Sequence, residues 1–305
     1  MHPVSVFSKS ECRNFLQASL FLTVIFGSGC SGGNILNTLS GASKYLAYPD
    51  VEYGSHSRHK MDIYLPNGAD SNDEQYSCKV MFIHGGSWQS GDKDTYKFVG
   101  AALAERGYFV AIPNYRLYPD AVFPDFVRDI ATALDHPLLR KNQPKEKIAL
   151  IGHSAGAFNA AHVSYDKSYL HEVGLDTASI DLFISLAGPH DYFLPSEKPK
   201  WRAIFGQTDT QQQTALSVNY IGDDSPTTLI LHGSEDNVVT PRSAYSLAGK
   251  LATHNIPREL KVYEDVGHIK IIGALASPLK SLAPTLNDIQ EFLHANGCRR
   301  HANGT

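Results

Sequence analysis

The chain has 305 residues, 42% of them hydrophobic and 10% aromatic, so it carries the apolar material for a packed core, and its length favours one large domain with attachments over two equal ones. Its 27 Lys plus Arg against 31 Asp plus Glu leave a net charge of −4 with no basic run to offset it, which excludes a phosphate-backbone binder, so no nucleic-acid partner is expected. The 24 glycines and 16 prolines fall into no period, which excludes collagen, solenoids and coiled coils.

Lys9 and Arg13 precede an apolar stretch from Phe15 to Phe26, closed by the small residues Gly27, Ser28 and Gly29. This three-part layout reads as an export signal over residues 1–29. As a helix, the apolar stretch would reach only about 18 Å at roughly 1.5 Å per residue, short of a ~30 Å hydrocarbon core, so a permanent spanning helix is not expected. Cys30 and the polar, small-residue run Ser31-Gly32-Gly33-Asn34 resemble the acylation site and tether of a bacterial lipoprotein, although Gly27 stands where such signals usually carry Leu. Lipidation of Cys30 with residues 30–48 as a tether is expected ahead of ordinary cleavage or an uncleaved, buried or interfacial segment. The protein would then be exported, periplasmic or anchored by its lipid to a bacterial membrane. In that oxidising compartment Cys78 and Cys298 are left to pair, but Cys78 opens an apolar strand and reads first as a small buried hydrophobe.

From Val51 onward, short β-type runs alternate with longer amphipathic stretches, the pattern of a mostly parallel sheet covered by helices in an α/β fold. Strands are expected at Lys60–Leu65, Lys79–His84, Tyr108–Pro113, Lys147–Gly152, Ile180–Ala187, Thr227–His232 and Glu259–Tyr263. The continuous apolar runs Val80–Ile83, Ile148–Ile151 and Leu229–Leu231 mark central strands buried on both faces. Apolar residues at three- and four-residue spacing predict helices over Thr95–Arg106 and Phe126–Leu134. Thr240-Pro241 opens a helix to about Thr253, and Ala283-Pro284 opens a last one to Ala295. The main domain is placed at 49–298, with an insertion at 188–226 and a tail at 299–305.

Chemistry gathers at the strand ends. Gly152-His153-Ser154-Ala155-Gly156 has the G-x-S-x-G spacing between a strand and a helix-compatible run, where a sharp turn needs residues without side chains on either side of an exposed serine. The helix N-terminus behind Ser154 favours negative charge at a substrate oxygen. His84-Gly85-Gly86-Ser87-Trp88 follows another strand, and its glycines can bring bare N–H groups to that oxygen. Gly85, Gly86 and Ala155 are the candidate oxyanion hole, with Ser87 competing with Gly86 for the second amide. A serine needs a base, and the base needs a carboxylate to hold its tautomer. Of 14 histidines, His268 follows the last strand and precedes a helix, and Asp236 follows the strand before it, in the chain order Ser154, Asp236, His268. Asp191, after the preceding strand, is the rival acid. His84 reads as ordering its own loop, His153 as packing in the elbow, and His56 and His59 as exposed loop histidines rather than a metal pair. No metal site, phosphate loop or dinucleotide fingerprint is found, so no cofactor is expected.

These residues together resemble the α/β-hydrolase superfamily, and within it bacterial carboxylesterases of the His-Gly-Gly-x-Trp type. The resemblance rests on Tyr53-Gly54, Met61-Asp62-Ile63-Tyr64-Leu65-Pro66, His84–Trp88, Asn114-Tyr115-Arg116-Leu117, Gly152–Gly156, His232-Gly233 with Asp236, and Gly267-His268. It departs from hormone-sensitive-lipase-like esterases, which carry a third glycine where Ser87 stands and usually Asp where His153 stands. The resemblance implies a cofactor-free serine hydrolase acting on small carboxylic esters through an acyl-enzyme. The modest insertion suggests short acyl chains, with Trp88, Tyr192 and Trp201 as pocket walls. An arylformamidase or aminopeptidase-like amide hydrolase using the same residues, or a silent binding lipoprotein, are the alternatives.

Overall fold

The computed structural model describes residues 36–37, 44–68, 76–141, 145–191 and 199–298. The expected export signal, Cys30, Tyr192 and the tail lie outside them. Among the described residues, eight strands form one sheet in the order β1-β2-β4-β3-β5-β6-β7-β8. They are β1 (Tyr45–Glu52), β2 (Lys60–Pro66), β3 (Cys78–Ile83), β4 (Phe109–Pro113), β5 (Lys147–His153), β6 (Leu182–Leu186), β7 (Thr227–Gly233) and β8 (Arg258–Tyr263). β1 and β2 pair antiparallel, as do β2 and β4, and every later pairing is parallel. This is the expected fold class, α/β with a mostly parallel sheet.

The apolar runs end up inside as their composition requires. In β3 the side chains alternate between two cores. Met81 and Ile83 join the layer with α2 (Asp125–Leu134), α3 (Ala155–Tyr165), α4 (Ser168–Glu172) and α7 (Arg242–Thr253), whereas Val80 and Phe82 join that with α1 (Lys97–Ala104), α8 (His268–Gly273) and α9 (Thr285–Ala295). Neighbours on both sides account for the unbroken hydrophobic pattern of β3 and β5.

The folded body begins ahead of the expected residue 49: β1 opens at Tyr45, and Leu36 is buried against the layer that contains α1. Cys78 and Cys298 form a disulfide. This corrects the reading of Cys78 as a lone buried hydrophobe: its strand begins beside the end of α9, and the two cysteines meet across a sequence separation of 220. Among its described residues the insertion folds into short helices, α5 (Pro199–Phe205), α6 (Asp209–Thr214) and a 3-10 turn at Ser217–Tyr220, which contribute packing and no strand. Phe123 N–H donates to Ile204 O at 2.8 Å, which ties the insertion to the start of α2.

β3 lies between β4 and β5, so the chain leaves it first to one side and later to the other. At such a reversal the loops beyond the carboxyl ends of two adjacent strands diverge and leave a crevice. The His84–Trp88 turn follows β3 and Ser154 follows β5, and both meet at that crevice.

Candidate active site

Ser154 takes φ 55° and ψ −123°, a backbone conformation L-residues rarely adopt, held by its own N–H donating to Leu186 O at 2.9 Å and by the helix that starts at Ala155. The flanking glycines are required by contact. A Cβ on Gly152 would collide with the backbone of Ala157, and one on Gly156 with the carbonyls of Ile83 and His84. The elbow therefore presses directly on the end of β3, where the glycine turn begins.

Ser154, Asp236 and His268, far apart in sequence, converge. His268 Nε2 lies 2.8 Å from Ser154 Oγ, and His268 Nδ1 lies 2.7 Å from Asp236 Oδ2. A carboxylate only accepts, so Nδ1 carries the proton and Nε2 offers its lone pair to the serine hydroxyl. Asp236 is buried, with 3% exposure, and Oδ1 accepts the N–H groups of Val238 and Val239, both at 2.9 Å. Burial works against its ionisation, but hydrogen bonds from His232 and His268 and from the Val239 N–H outweigh it and hold the carboxyl well below the usual carboxylate range. Asp191, the rival acid, lies elsewhere: its Oδ2 is 4.0 Å from Arg242 Nε.

The glycine turn is tightly propped. Gly86 has φ +132°, and a Cβ there would overlap Ser90 O, which accepts no such neighbour because Gln89 and Ser90 already fold back to donate to Gly86 O at 3.1 and 3.0 Å. Ser87 and Trp88 follow with φ 54° and 58°. A Cβ on Gly85 would stand 3.1 Å from that of Ser154, so the absence of side chain is what lets this backbone approach the hydroxyl. Helix α3 meanwhile leaves its first N–H groups, that of Ala155 among them, without intrahelical acceptors.

Several supporting residues stand in the motifs quoted above, but their partners are visible only in the fold. His84 Nδ1 donates to Gly85 O at 2.8 Å, so it orders its own loop as expected, and Tyr115 Oη donates to His84 O at 2.9 Å. Asn114, at the end of β4, accepts the Lys93 N–H at 2.7 Å through Oδ1 and donates to Asp92 at 2.9 Å, fixing the segment that follows the turn. His232 Nε2 donates to Val239 O at 2.7 Å and stands 3.3 Å from Asp236 Oδ2, bracing the acid's loop. Asn114 directly follows β4 and His232 is the penultimate residue of β7, both at the sheet's carboxyl edge, and the Asn114–Leu117 and His232-Gly233 motifs were the signal that marked them.

Trp88, expected as a pocket wall, is 3% exposed. Its Nε1 donates to Asn159 at 2.9 Å, and its ring meets Phe158, Trp201 and Phe205 edge-on at 5.0, 5.7 and 4.8 Å. Trp201, half-buried, joins that cluster, so both tryptophans serve the packing of the insertion onto α2 and α3. His56 and His59 are not free loop residues either. Both are half-buried, and His59 stacks on Tyr53 at 5.0 Å with Nε2 3.1 Å from Asp129.

Comparison with known proteins agrees with this architecture. The probable isoprenylcysteine alpha-carbonyl methylesterase ICMEL2 of Arabidopsis thaliana is 25% identical over 269 residues, 81% of this chain and 62% of that protein, so the chain spans about three fifths of that relative's length. A kynurenine formamidase of Meyerozyma guilliermondii is 24% identical, covering 68% of this chain and 82% of its own. The crystal structure of an inhibited esterase B from Lactobacillus rhamnosis superposes with a TM-score of 0.70 at 16% identity, over 91% of this chain and 96% of that one, which bears out the α/β-hydrolase fold. A family model described as BD-FAE matches residues 61–251, more than half of the sequence and all of the turn, the elbow and the acid. The chain belongs to the BD-FAE family.

Proposed function

We propose that the protein is a serine carboxylesterase that hydrolyses short-chain carboxylic esters through an acyl-enzyme. The observation that carries this reading is the continuous chain of hydrogen bonds from Ser154 Oγ through His268 to Asp236, at 2.8 and 2.7 Å. Ser154 attacks the ester carbonyl as its proton passes to His268 Nε2, and Asp236 stabilises the imidazolium that results. The oxyanion forms between the Gly85-Gly86 turn and Ala155. Preorganised N–H donors there are worth about 3–4 kcal/mol each at the transition state. His268 then protonates the leaving alcohol, and the same base activates the water that releases the acid. The small insertion, whose Trp201 and Phe205 are taken up in packing on Trp88, supports a preference for short acyl chains.

The assay is a chain-length series of p-nitrophenyl esters run beside N-formylkynurenine and an aminoacyl arylamide. Acetate and butyrate esters should turn over fastest. Faster hydrolysis of either nitrogen substrate would replace the esterase reading with the amide-hydrolase one, which the formamidase relative makes the natural rival.

The same reading extends to location. The Cys78–Cys298 bridge suits an oxidising compartment, and with the leader-like residues 1–29 it supports export, with Cys30 as the acylated anchor. A mass spectrum of the native N-terminus should show a processed, lipid-modified Cys30; an intact Met1 would overturn export.

A further inference from the structure

The elbow contains a buried histidine that the reaction does not consume. His153, the last residue of β5, is 3% exposed; its Nε2 lies 3.0 Å from the main-chain carbonyl oxygen of His268, and the two rings are 4.9 Å apart. A carbonyl only accepts, so the proton sits on Nε2, and Nδ1 presents a lone pair. That Nδ1 is buried beside Gly85 and has no hydrogen-bond partner among the described residues. Stability does not ask for such a residue: an apolar side chain would fill the space without burying an unpaired nitrogen.

We propose that His153 is a positioning residue that sets the placement of the His268 imidazole by holding its main chain, a proposal that rests on the triad reading above. His268 is the first residue of α8, so its ring hangs from a peptide at a helix end. Asp236 fixes the rotation of the ring, while His153 fixes the peptide from which it hangs. Because His153 adjoins Ser154, nucleophile and base are joined twice, once from hydroxyl to imidazole and once from the elbow to the base's own carbonyl. Any shift of the β5 end then carries both partners together. Burial and the neighbouring His268 imidazole push the His153 pKa down to about 3, so the ring stays neutral and keeps the Nε2–H bond across the range in which esters are assayed.

The test uses His153→Leu, His153→Gln and His153→Asn in the full chain, assayed on p-nitrophenyl butyrate, by the rate at which a p-nitrophenyl phosphonate inactivates the enzyme, and by thermal unfolding. The Gln amide can stand in for Nε2, whereas the shorter Asn amide cannot reach the carbonyl. For His153→Leu, kcat and phosphonate inactivation should fall together by about 10- to 100-fold, the loss expected from an ångström-scale misplacement, with KM within about threefold. Its unfolding midpoint should equal or exceed that of the parent. His153→Gln should recover most of the rate and His153→Asn little of it. Unchanged kcat in His153→Leu, or equal losses in all three variants with lowered midpoints, would overturn the positioning role. Ser154→Ala in the same assay separates the two claims: full activity there sinks the triad itself, whereas its loss beside a normal His153→Leu sinks only the positioning.

Discussion

Asp236 shows how the groups around a buried carboxylate can keep it charged. Two N–H groups and two imidazoles converge on its carboxylate, so it remains ionised despite burial and can hold His268 in a single tautomer. Ser154→Ala should therefore lower kcat on the order of 10⁶-fold and Asp236→Asn about 10⁴-fold, because the amide would leave His268 in the wrong tautomer. Steady-state kinetics on p-nitrophenyl butyrate measures both, and an Asp236→Asn enzyme within tenfold of the parent would show that another group orients the base. The convergence of Ser154, Asp236 and His268 was legible in sequence because each closes a recognisable strand–turn motif. The bonds that His153, His232 and Asn114 make were not, although all three stand in quoted motifs, since hydrogen bonds to backbone carbonyls and N–H groups place no demand on neighbouring residues that composition would reveal. The tryptophans misled for a related reason: aromatic residues near a site and aromatic residues in a core have the same sequence appearance.

At the scale of elements, the seven buried or half-buried strands followed from hydrophobic runs, while β1 did not. It is an edge strand, mostly exposed, with Pro49 and Asp50 at a register shift, and its residues need no apolar pattern because one flank faces solvent. The ladder it forms with β2 is joined by Lys93, which bonds Asp50 and Asp62 at 2.9 Å each, a link between a 3-10 turn and two strands that no local rule supplies. The disulfide was hidden likewise by separation along the chain. It ties the beginning of β3 to the end of α9, and its loss should cost about 2–5 kcal/mol by removing a constraint on the unfolded chain. Cys78→Ser with Cys298→Ser should lower the denaturation midpoint accordingly while leaving kcat within a few-fold, because neither cysteine touches the site. A double variant as stable as the parent would indicate that packing around α9 already fixes that end.

The whole molecule encloses several histidines as neutral rings. His153 and His162 each donate one N–H to a carbonyl, and His190 sits between the hydroxyls of Ser185 and Ser217. Burial lowers their pKa values to about 3, 4 and 3. A depressed folded pKa means the unfolded chain, titrating near 6.5, binds these protons first. Stability is thus fully present above that value and is lost as pH falls through it, at up to about 1.4 kcal/mol per pH unit for each ring. Three rings together would consume a large part of an ordinary stability of about 5–15 kcal/mol by pH 5. Urea midpoints should be level from pH 7 to 8 and fall steeply from 6.5 to 5; a flat profile would mean that these rings charge within the native fold. The bridge between residues 78 and 298 has one more consequence at this scale. Every group assigned a role in the reaction lies inside a single covalent loop, so one protease nick anywhere within it opens a ring and liberates no fragment. On a gel run without thiol, a clipped chain would keep its full mass, and only reduction would reveal two pieces.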